Sequence, residues 1–172
     1  MTPLGALLRG AVAGALGTVA MDAFLYARYR SGGGDQEPIG WEFGGPSDWD
    51  SVSAPAQVGR RLVEGFTRRP LAARHARLTN NIMHWGYGVA WGGLLGLAGG
   101  SLRHTRLVDG PLFGGIVWAS SYVTLPLAGL YKPVWKYTFA ELAPDIAAHL
   151  VYGTAAERSF RLLTPRAADS LR

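Results

Sequence analysis

The sequence predicts an all-α protein built on four membrane-spanning helices, with a long loop after the first helix. The segments between Arg77 and Arg103 and between Asp109 and Lys132 carry no charge, and each exceeds the roughly 20 residues that a membrane helix needs. Charged residues make up 17% of the chain, well below the roughly 25% of soluble domains. Glycines recur at every fourth position of the apolar segments, a spacing typical of closely packed membrane helices.

We expect one transmembrane domain over residues 1–172, because the chain has the length of a single domain. The four spans are predicted at 4–27, 80–102, 110–131 and 144–163. The first span contains only Arg9 and Asp22 as charged residues. The last span has the weakest pattern, because Glu157 and Arg158 must reach water at its end. Pro144 suits the first turn of a helix, so this span is predicted to begin there.

The N-terminal segment could instead be a signal peptide, because Arg9 precedes a short apolar run over 10–21. Three leucines before this arginine argue against that alternative, since a signal peptide begins with a polar region. Four spans place both termini on one side of the membrane. Arginines at the termini and in the 103–109 turn predict a cytoplasmic side for them, and thus a multi-pass protein of the bacterial inner membrane.

The loop over 31–78 is rich in Gly, Pro and aromatic residues, and its aromatics predict that it caps the bundle or lies on the membrane surface. Its segment "SAPAQVGRRLVEGF" predicts a helix, in which Ser53 is the N-cap and Pro55 lies in the first turn. One face of this helix is apolar, which predicts an interfacial amphipathic helix, with an ordinary surface helix as the alternative. That face carries Val58, Leu62 and Phe66.

Two parallel helix-pair repeats are a further prediction. The motif "GAVAG" at 10–14 corresponds to "GPLFG" at 110–114, and H-x-x-Y-G occurs at 84–88 and again at 149–153. Each half then contains a glycine-rich helix followed by an H-x-x-Y-G helix. Such repeats enter the membrane in the same direction and are related by an axis along the membrane normal.

Spacing by four places small residues and histidines on one face of each helix. Glycines there let the backbones approach closely, so this face is predicted to point inward. The helix-packing positions are Gly10, Gly14, Gly88, Gly92, Gly96, Gly110, Gly114 and Gly153. Polar residues follow on the same faces at one end of the bundle, where we expect a buried protonatable layer. The predicted layer consists of Asp22, Asn80, His84, Asp145 and His149.

Several interpretations of this layer are open from the sequence. The polar groups could hold the helices together by hydrogen bonds, or titratable residues within a membrane could form a proton or ion site. Facing histidines could bind b-type haem, with His84 and His149 as axial ligands. Asp22 and Asp145 could join these histidines in a zinc or iron site, although no compact metal-binding motif is present.

Other functional classes find little support in the sequence. There is no Cys, which excludes thiolate metal sites and cysteine catalysis. No P-loop, G-x-S-x-G or H-E-x-x-H motif indicates an enzyme. The net charge of +5 comes mainly from arginines that flank apolar segments, so nucleic acid is not an expected partner. The string "GLYKPVWKY" predicts an interfacial belt of Lys132, Trp135 and Lys136, which could also bind a headgroup or another anion.

The chain resembles the YagU-like family of small bacterial inner-membrane proteins. The likeness lies in the glycine-rich first helix and in "NNIMHWGYGVAWG", "GPLFGGIVWASSYVTLPLAGLYKP" and "DIAAHLVYG"; "SAPAQVGRRLVEG" is similar to segments of actinobacterial membrane proteins. The resemblance implies a multi-pass inner-membrane protein, linked in enteric bacteria to acid resistance, without an established mechanism or catalytic residue.

These features predict a non-enzymatic membrane protein of envelope or acid-stress homeostasis that acts through the protonatable layer. A haem- or metal-binding redox or accessory subunit is one alternative. A structural subunit of a membrane complex is another. The expected partners are the lipid bilayer and either a second copy of the chain or another membrane subunit.

Overall fold

A computed structural model describes residues 1–101 and 109–164. The regular structure in these two ranges is entirely helical, which confirms the all-α prediction. The α-helices are α1 (Pro3–Ser31), α2 (Pro38–Phe43), α3 (Ala54–Thr67), α4 (Ala76–Ser101), α5 (Gly110–Leu127) and α6 (Phe139–Leu163). Most of the turn at 103–109 lies outside the described residues, as do Arg166 and Arg172, two of the arginines that predicted the membrane orientation.

Four long helices form the body of the protein. Helix α1 packs against both α4 and α6, and α5 packs against α6. The pairs α1–α4 and α5–α6 are antiparallel, because Gly10 faces Gly96 while Gly14 faces Gly88, and Gly110 faces Thr154 while Gly114 faces His149. Consequently α1 and α5 end at the same end of the bundle at which α4 and α6 begin.

The predicted packing glycines lie where these backbones approach most closely. A Cβ added at Gly14 would clash with the carbonyl oxygen of Gly88, and one added at Gly10 would clash with that of Gly92. In the second pair, a Cβ added at Gly114 would meet the backbone of His149. Steric clash with backbone leaves no room for a side chain, so the seams α1–α4 and α5–α6 depend on glycine.

The start of α6 differs from the prediction. The helix begins at Phe139, five residues before the predicted start, and Pro144 lies inside it. Thr138 and Glu141 form a capping box, in which the Thr138 hydroxyl accepts from the Glu141 N–H and the Glu141 carboxylate accepts from the Thr138 N–H. Because this box satisfies the first N–H groups of the helix, the added turn is stable ahead of the proline.

The long loop folds over one end of the bundle. Trp41 of α2 packs against Tyr26 and Tyr29 of α1, with ring centroids 5.4 and 6.0 Å apart. Trp49 is buried, and its indole N–H donates to the carbonyl oxygen of Leu71. The predicted capping of the bundle by the aromatic residues of this loop is thus observed.

Helix α3 lies on α4 and contains the residues of the predicted amphipathic helix. Its contact with α4 involves Gly59, which faces Thr79 and Met83. Ser53 occupies the N-cap position but makes no capping hydrogen bond; its hydroxyl donates instead to Oδ1 of Asn80 at 2.6 Å. Phe66, at the other end of the helix, is 87% exposed.

Among the described helices, α1 alone meets a test of length and composition for crossing a membrane. A signal sequence near an N-terminus passes the same test. Many large apolar side chains on the long helices are nevertheless exposed. They include Leu4, Leu8, Val12, Leu16 and Val19 of α1, Ile82 and Leu94 of α4, Leu112 and Val123 of α5, and Leu150 and Leu162 of α6.

Candidate functional site

A cavity of about 470 Å³ lies at the end of the bundle that the long loop covers. Side chains of all four long helices, of α2 and of the start of α3 contribute to its wall. The structure brings all five polar residues of the predicted layer into this one wall. They are Asp22, Asn80, His84, Asp145 and His149.

Asp22 and His84 join α1 to α4 across the cavity. His84 Nε2 lies 2.8 Å from Oδ1 of Asp22. The Asp22 side chain is only 10% exposed, and its second oxygen, Oδ2, is buried and has no hydrogen-bond partner in the described structure. A buried carboxylate oxygen without a donor is costly, so this position favours a bound cation.

Glu42 of α2 completes this group and was not predicted as a site residue. One ligand atom each of Asp22, Glu42 and His84 lies within 4.8 Å of the other two. The indole N–H of Trp85 donates to Oε1 of Glu42 at 2.9 Å. Burial, followed by the negative charge of Asp22, raises the pKa of Glu42 above its ordinary value. The sequence pattern that could have indicated Glu42 is an acid between two aromatic residues, Trp41 and Phe43. Trp41 packs against Tyr26 of α1 and so holds α2 in place.

Asp145 is the centre of a second polar group, between α5 and α6. Its Oδ2 accepts from the Trp118 indole at 3.0 Å and from the Tyr122 hydroxyl at 2.9 Å. His149, one turn further along α6, has its Nδ1 2.8 Å from the Asp145 carbonyl oxygen and 3.4 Å from Oδ1. Asp145 is therefore well supplied with donors, in contrast to Asp22.

The two groups line one cavity, but no hydrogen bond joins them within the described residues. Asn80 also lies in the wall, and it is bonded to Ser53 rather than to either carboxylate of the layer. His84 directs Nε2 at Asp22, whereas His149 directs Nδ1 at its own helix. Haem coordination by this histidine pair stays a prediction.

The halves of the proposed repeat use equivalent positions for different chemistry. The alignment of the motifs pairs Asp22 with Tyr122, and Asn80 with Asp145. In the first half, Asp22 of the glycine-rich helix contacts a histidine of its partner helix. In the second half, Tyr122 donates to an acid of its partner helix. The carboxylate thus lies on the first helix of one pair and on the second helix of the other.

The charge of the cavity follows from its lining. Among the described residues, three carboxylates and two imidazoles line it, and no Lys or Arg does. The carboxylates belong to Asp22, Glu42 and Asp145. Such a wall attracts cations and repels anions.

The predicted interfacial belt lies apart from the cavity lining. Trp135 is 80% exposed, and Lys136 ends the same 3₁₀ turn, Val134–Lys136, between α5 and α6. The Lys132 ammonium lies over the ring of Tyr137, 5.5 Å from its centroid. The belt is therefore a surface feature of the connection that precedes α6.

Comparison with known proteins finds no matching family model, no matching curated protein and no matching solved structure.

Proposed function

We propose that this chain is a multi-pass membrane protein that binds a small cation in a cavity at one end of its helix bundle. The observation that carries the proposal is the cavity wall, where three acids and two histidines from α1, α2, α4 and α6 meet and no lysine or arginine of the described residues contributes. These residues come from segments that lie far apart in the sequence, so only the fold brings them together.

The surface of the helices supports a location in the membrane. The outward face of α1 shows Leu8 at 58% and Val12 at 52% exposure, and its buried face consists of glycine and alanine as far as Gly17, followed by Thr18 and Asp22. Exposed apolar side chains recur along the long helices, and large apolar patches are rare on soluble monomers. In lipid, the same surface is matched by acyl chains, and small residues form the helix contacts.

The polar wall supports a cation as the ligand. An ionised carboxylate within an apolar bundle is expensive unless it is paired. Asp145 has three donors nearby, whereas one oxygen of Asp22 has none. A cation at this end of the cavity would offset the charge of Asp22 and Glu42 without any movement of the helices.

The remaining predictions from the sequence concern the physiological role and the surroundings of the protein. Acid-stress homeostasis, which the resemblance implies, uses the same protonatable groups. Cytoplasmic termini place the loop over 31–78, and the cavity beneath it, on the periplasmic side of the inner membrane. Exposed apolar faces also suit a second copy of the chain or another membrane subunit. A structural subunit would need those faces but would not need the anionic cavity.

Cysteine labelling tests location and cavity charge together, because the natural chain has no Cys. Single cysteines replace Ser121 in the cavity wall, Val123 on the exposed face of the same helix, and Gly40 in the loop. Membranes are treated with cationic or anionic methanethiosulfonate reagents of similar size. We expect Ser121→Cys to react faster with the cationic reagent, Val123→Cys to be protected by lipid, and Gly40→Cys to react with both.

Adding Asp145→Asn to Ser121→Cys is expected to reduce the preference for the cationic reagent. Equal reaction of Ser121→Cys with both reagents would remove the anionic cavity from the proposal. Reaction of Val123→Cys as fast as Gly40→Cys would remove the membrane location. Labelling of Gly40→Cys in intact cells by an impermeant reagent additionally reports the orientation.

A further inference from the structure

We propose that Asp22, Glu42 and His84 bind a divalent transition-metal ion. The inference rests on the proposed cation cavity and names the class of its ligand. It adds a protein ligand from the long loop, Glu42, to the residues that the helices supply. The loop thereby becomes part of the site as well as its cover.

The spacing of the three donors suits one ion. Their ligand atoms lie within 4.8 Å of one another, and Asp22 Oδ1 is 2.8 Å from His84 Nε2. Two donors of a tetrahedral zinc ion, each about 2.1 Å from the metal, are about 3.4 Å apart. Rotations of side chains are therefore enough to bring the three donors onto one metal ion.

An independent observation supports a ligand at this position. The Asp22 side chain is nine-tenths buried, it lines the cavity, and its Oδ2 has no hydrogen-bond partner in the described structure. Asp145, the second aspartate of the cavity, has its oxygens occupied by an indole, a hydroxyl and an imidazole. Among the described carboxylates that line the cavity, the buried oxygen without a donor therefore belongs to the three-residue group.

The donor set selects the class of ion. One imidazole and two carboxylates suit zinc, manganese, iron, cobalt or nickel, whereas calcium and magnesium prefer oxygen ligands alone. Three protein ligands leave at least one coordination position for water or for a ligand from the cavity. The cavity beside the three donors provides the space for it.

Trp85 acts as a positioning residue for this site. Its indole N–H donates to Oε1 of Glu42 at 2.9 Å, which holds the Glu42 carboxylate near Asp22 and His84. Outer partners of this kind orient metal ligands, and their loss typically lowers metal affinity by about 10–100-fold. Trp85 follows His84 directly in the sequence, so one turn of α4 supplies a ligand and the support of another ligand.

A proton shared between Asp22 and Glu42 is the main rival explanation of the same geometry. Two close carboxylates can hold one proton between them, which also relieves their repulsion. A shared proton requires no imidazole, whereas the metal site uses His84 as its nitrogen ligand. Substitution of His84 therefore separates the two explanations.

The test is Co²⁺ and Zn²⁺ binding to the full chain, purified in detergent without a histidine tag and treated with a chelator. We expect one equivalent of metal after dialysis and visible Co²⁺ absorption bands of a site with nitrogen and oxygen ligands. His84 and Glu42 lie on different helices. Loss of a residue that only supports a ligand lowers metal affinity by up to about 100-fold. His84→Ala and Glu42→Gln each remove a ligand, so each is expected to weaken metal binding by more than that. Trp85→Phe is expected to weaken it by about 10-fold.

His75→Ala and Glu37→Gln are the matched controls, because neither residue lines the cavity, and both are expected to bind metal as the natural chain does. Absence of retained metal, or binding that survives both His84→Ala and Glu42→Gln, would overturn the metal site. Equal affinity for Ca²⁺ that is insensitive to His84→Ala would also overturn it. If cationic labelling of the cavity persists without metal binding, this inference fails and the cation cavity stands.

Discussion

The Tyr152 hydroxyl of α6 donates to the carbonyl oxygen of Gly88 on α4, at 2.6 Å and out of contact with solvent. Tyr152 is 2% exposed, and an added Cβ at Gly88 would meet Thr18 of α1. Because Gly88 has no side chain, α1 can approach α4 closely at this point, and Tyr152 of α6 can reach the backbone of α4. This contact lies beside His84 and His149, so it supports the floor of the cavity.

Tyr152→Phe is expected to destabilise the bundle by about 1 kcal/mol, because a buried hydrogen bond is lost while the ring still packs. The free energy of unfolding in mixed detergent micelles measures the change. Tyr26→Phe is the control, since Tyr26 also donates to a backbone carbonyl, that of Gln36, but at an exposed site. Equal effects of the two substitutions would contradict the role of Tyr152.

The glycine seams predict opposite results for neighbouring glycines. Gly114→Ala is expected to cost about 1–3 kcal/mol, because the new Cβ meets the His149 backbone. Gly115→Ala meets nothing within 4 Å and is expected to be neutral or stabilising by up to about 1 kcal/mol, through helix propensity.

Helix α4 offers the same comparison. The Cβ added by Gly92→Ala meets the backbone of α1, whereas the Cβ added by Gly86→Ala enters open space. Thermal denaturation in one detergent ranks all four variants. Similar melting temperatures within each pair would show that the helices do not approach as closely as this structure has them.

The capping box at the start of α6 predicts a local effect of Thr138. Thr138→Ala is expected to cost about 1 kcal/mol, because the first turn loses a side-chain cap. Hydrogen exchange at the Glu141 amide, which donates to the Thr138 hydroxyl, is expected to accelerate more than exchange at Tyr152 near the middle of the helix. Unchanged exchange at Glu141 would show that the helix starts elsewhere.

Glu64 predicts a pH dependence for the end of α3. The Leu71 N–H and then Arg60 donate to its carboxylate, and these bonds lower the pKa of Glu64. Because the pKa of Glu64 is lower in the folded state, its hydrogen bonds stabilise the fold fully at pH values above the ordinary glutamate pKa. This stabilisation is lost as pH falls through the lowered value.

The chemical shift of the Leu71 amide, followed from neutral pH downward, reports this titration. We expect a midpoint below that of an ordinary glutamate. Arg60→Ala is expected to raise the midpoint only in part, because the backbone donor remains. Glu64→Gln is expected to remove the transition. A midpoint at or above the ordinary value in the natural chain would contradict the Glu64–Leu71 contact.

Residue patterns within single segments are enough to predict the helical class, the packing glycines and the five polar residues that line the cavity. These features repeat with helical period along single segments, so local spacing is enough to place them on a common face. Gly14 and Gly88, for example, are predicted to face inward without knowledge of which helix they meet. Pro144 misled the same reasoning, because Thr138 and Glu141 extend the helix ahead of it.

Which polar groups meet depends on how the helices pack together. Asp22 is bonded to His84, whereas Asp145 is bonded to Trp118 and Tyr122, and the motifs alone would treat the two acids alike. Glu42 lies in a loop without helical periodicity, so no spacing rule could place it beside Asp22. Its position depends on the packing of aromatic side chains between α2 and α1, and contacts between segments distant in sequence exist only once the chain has folded.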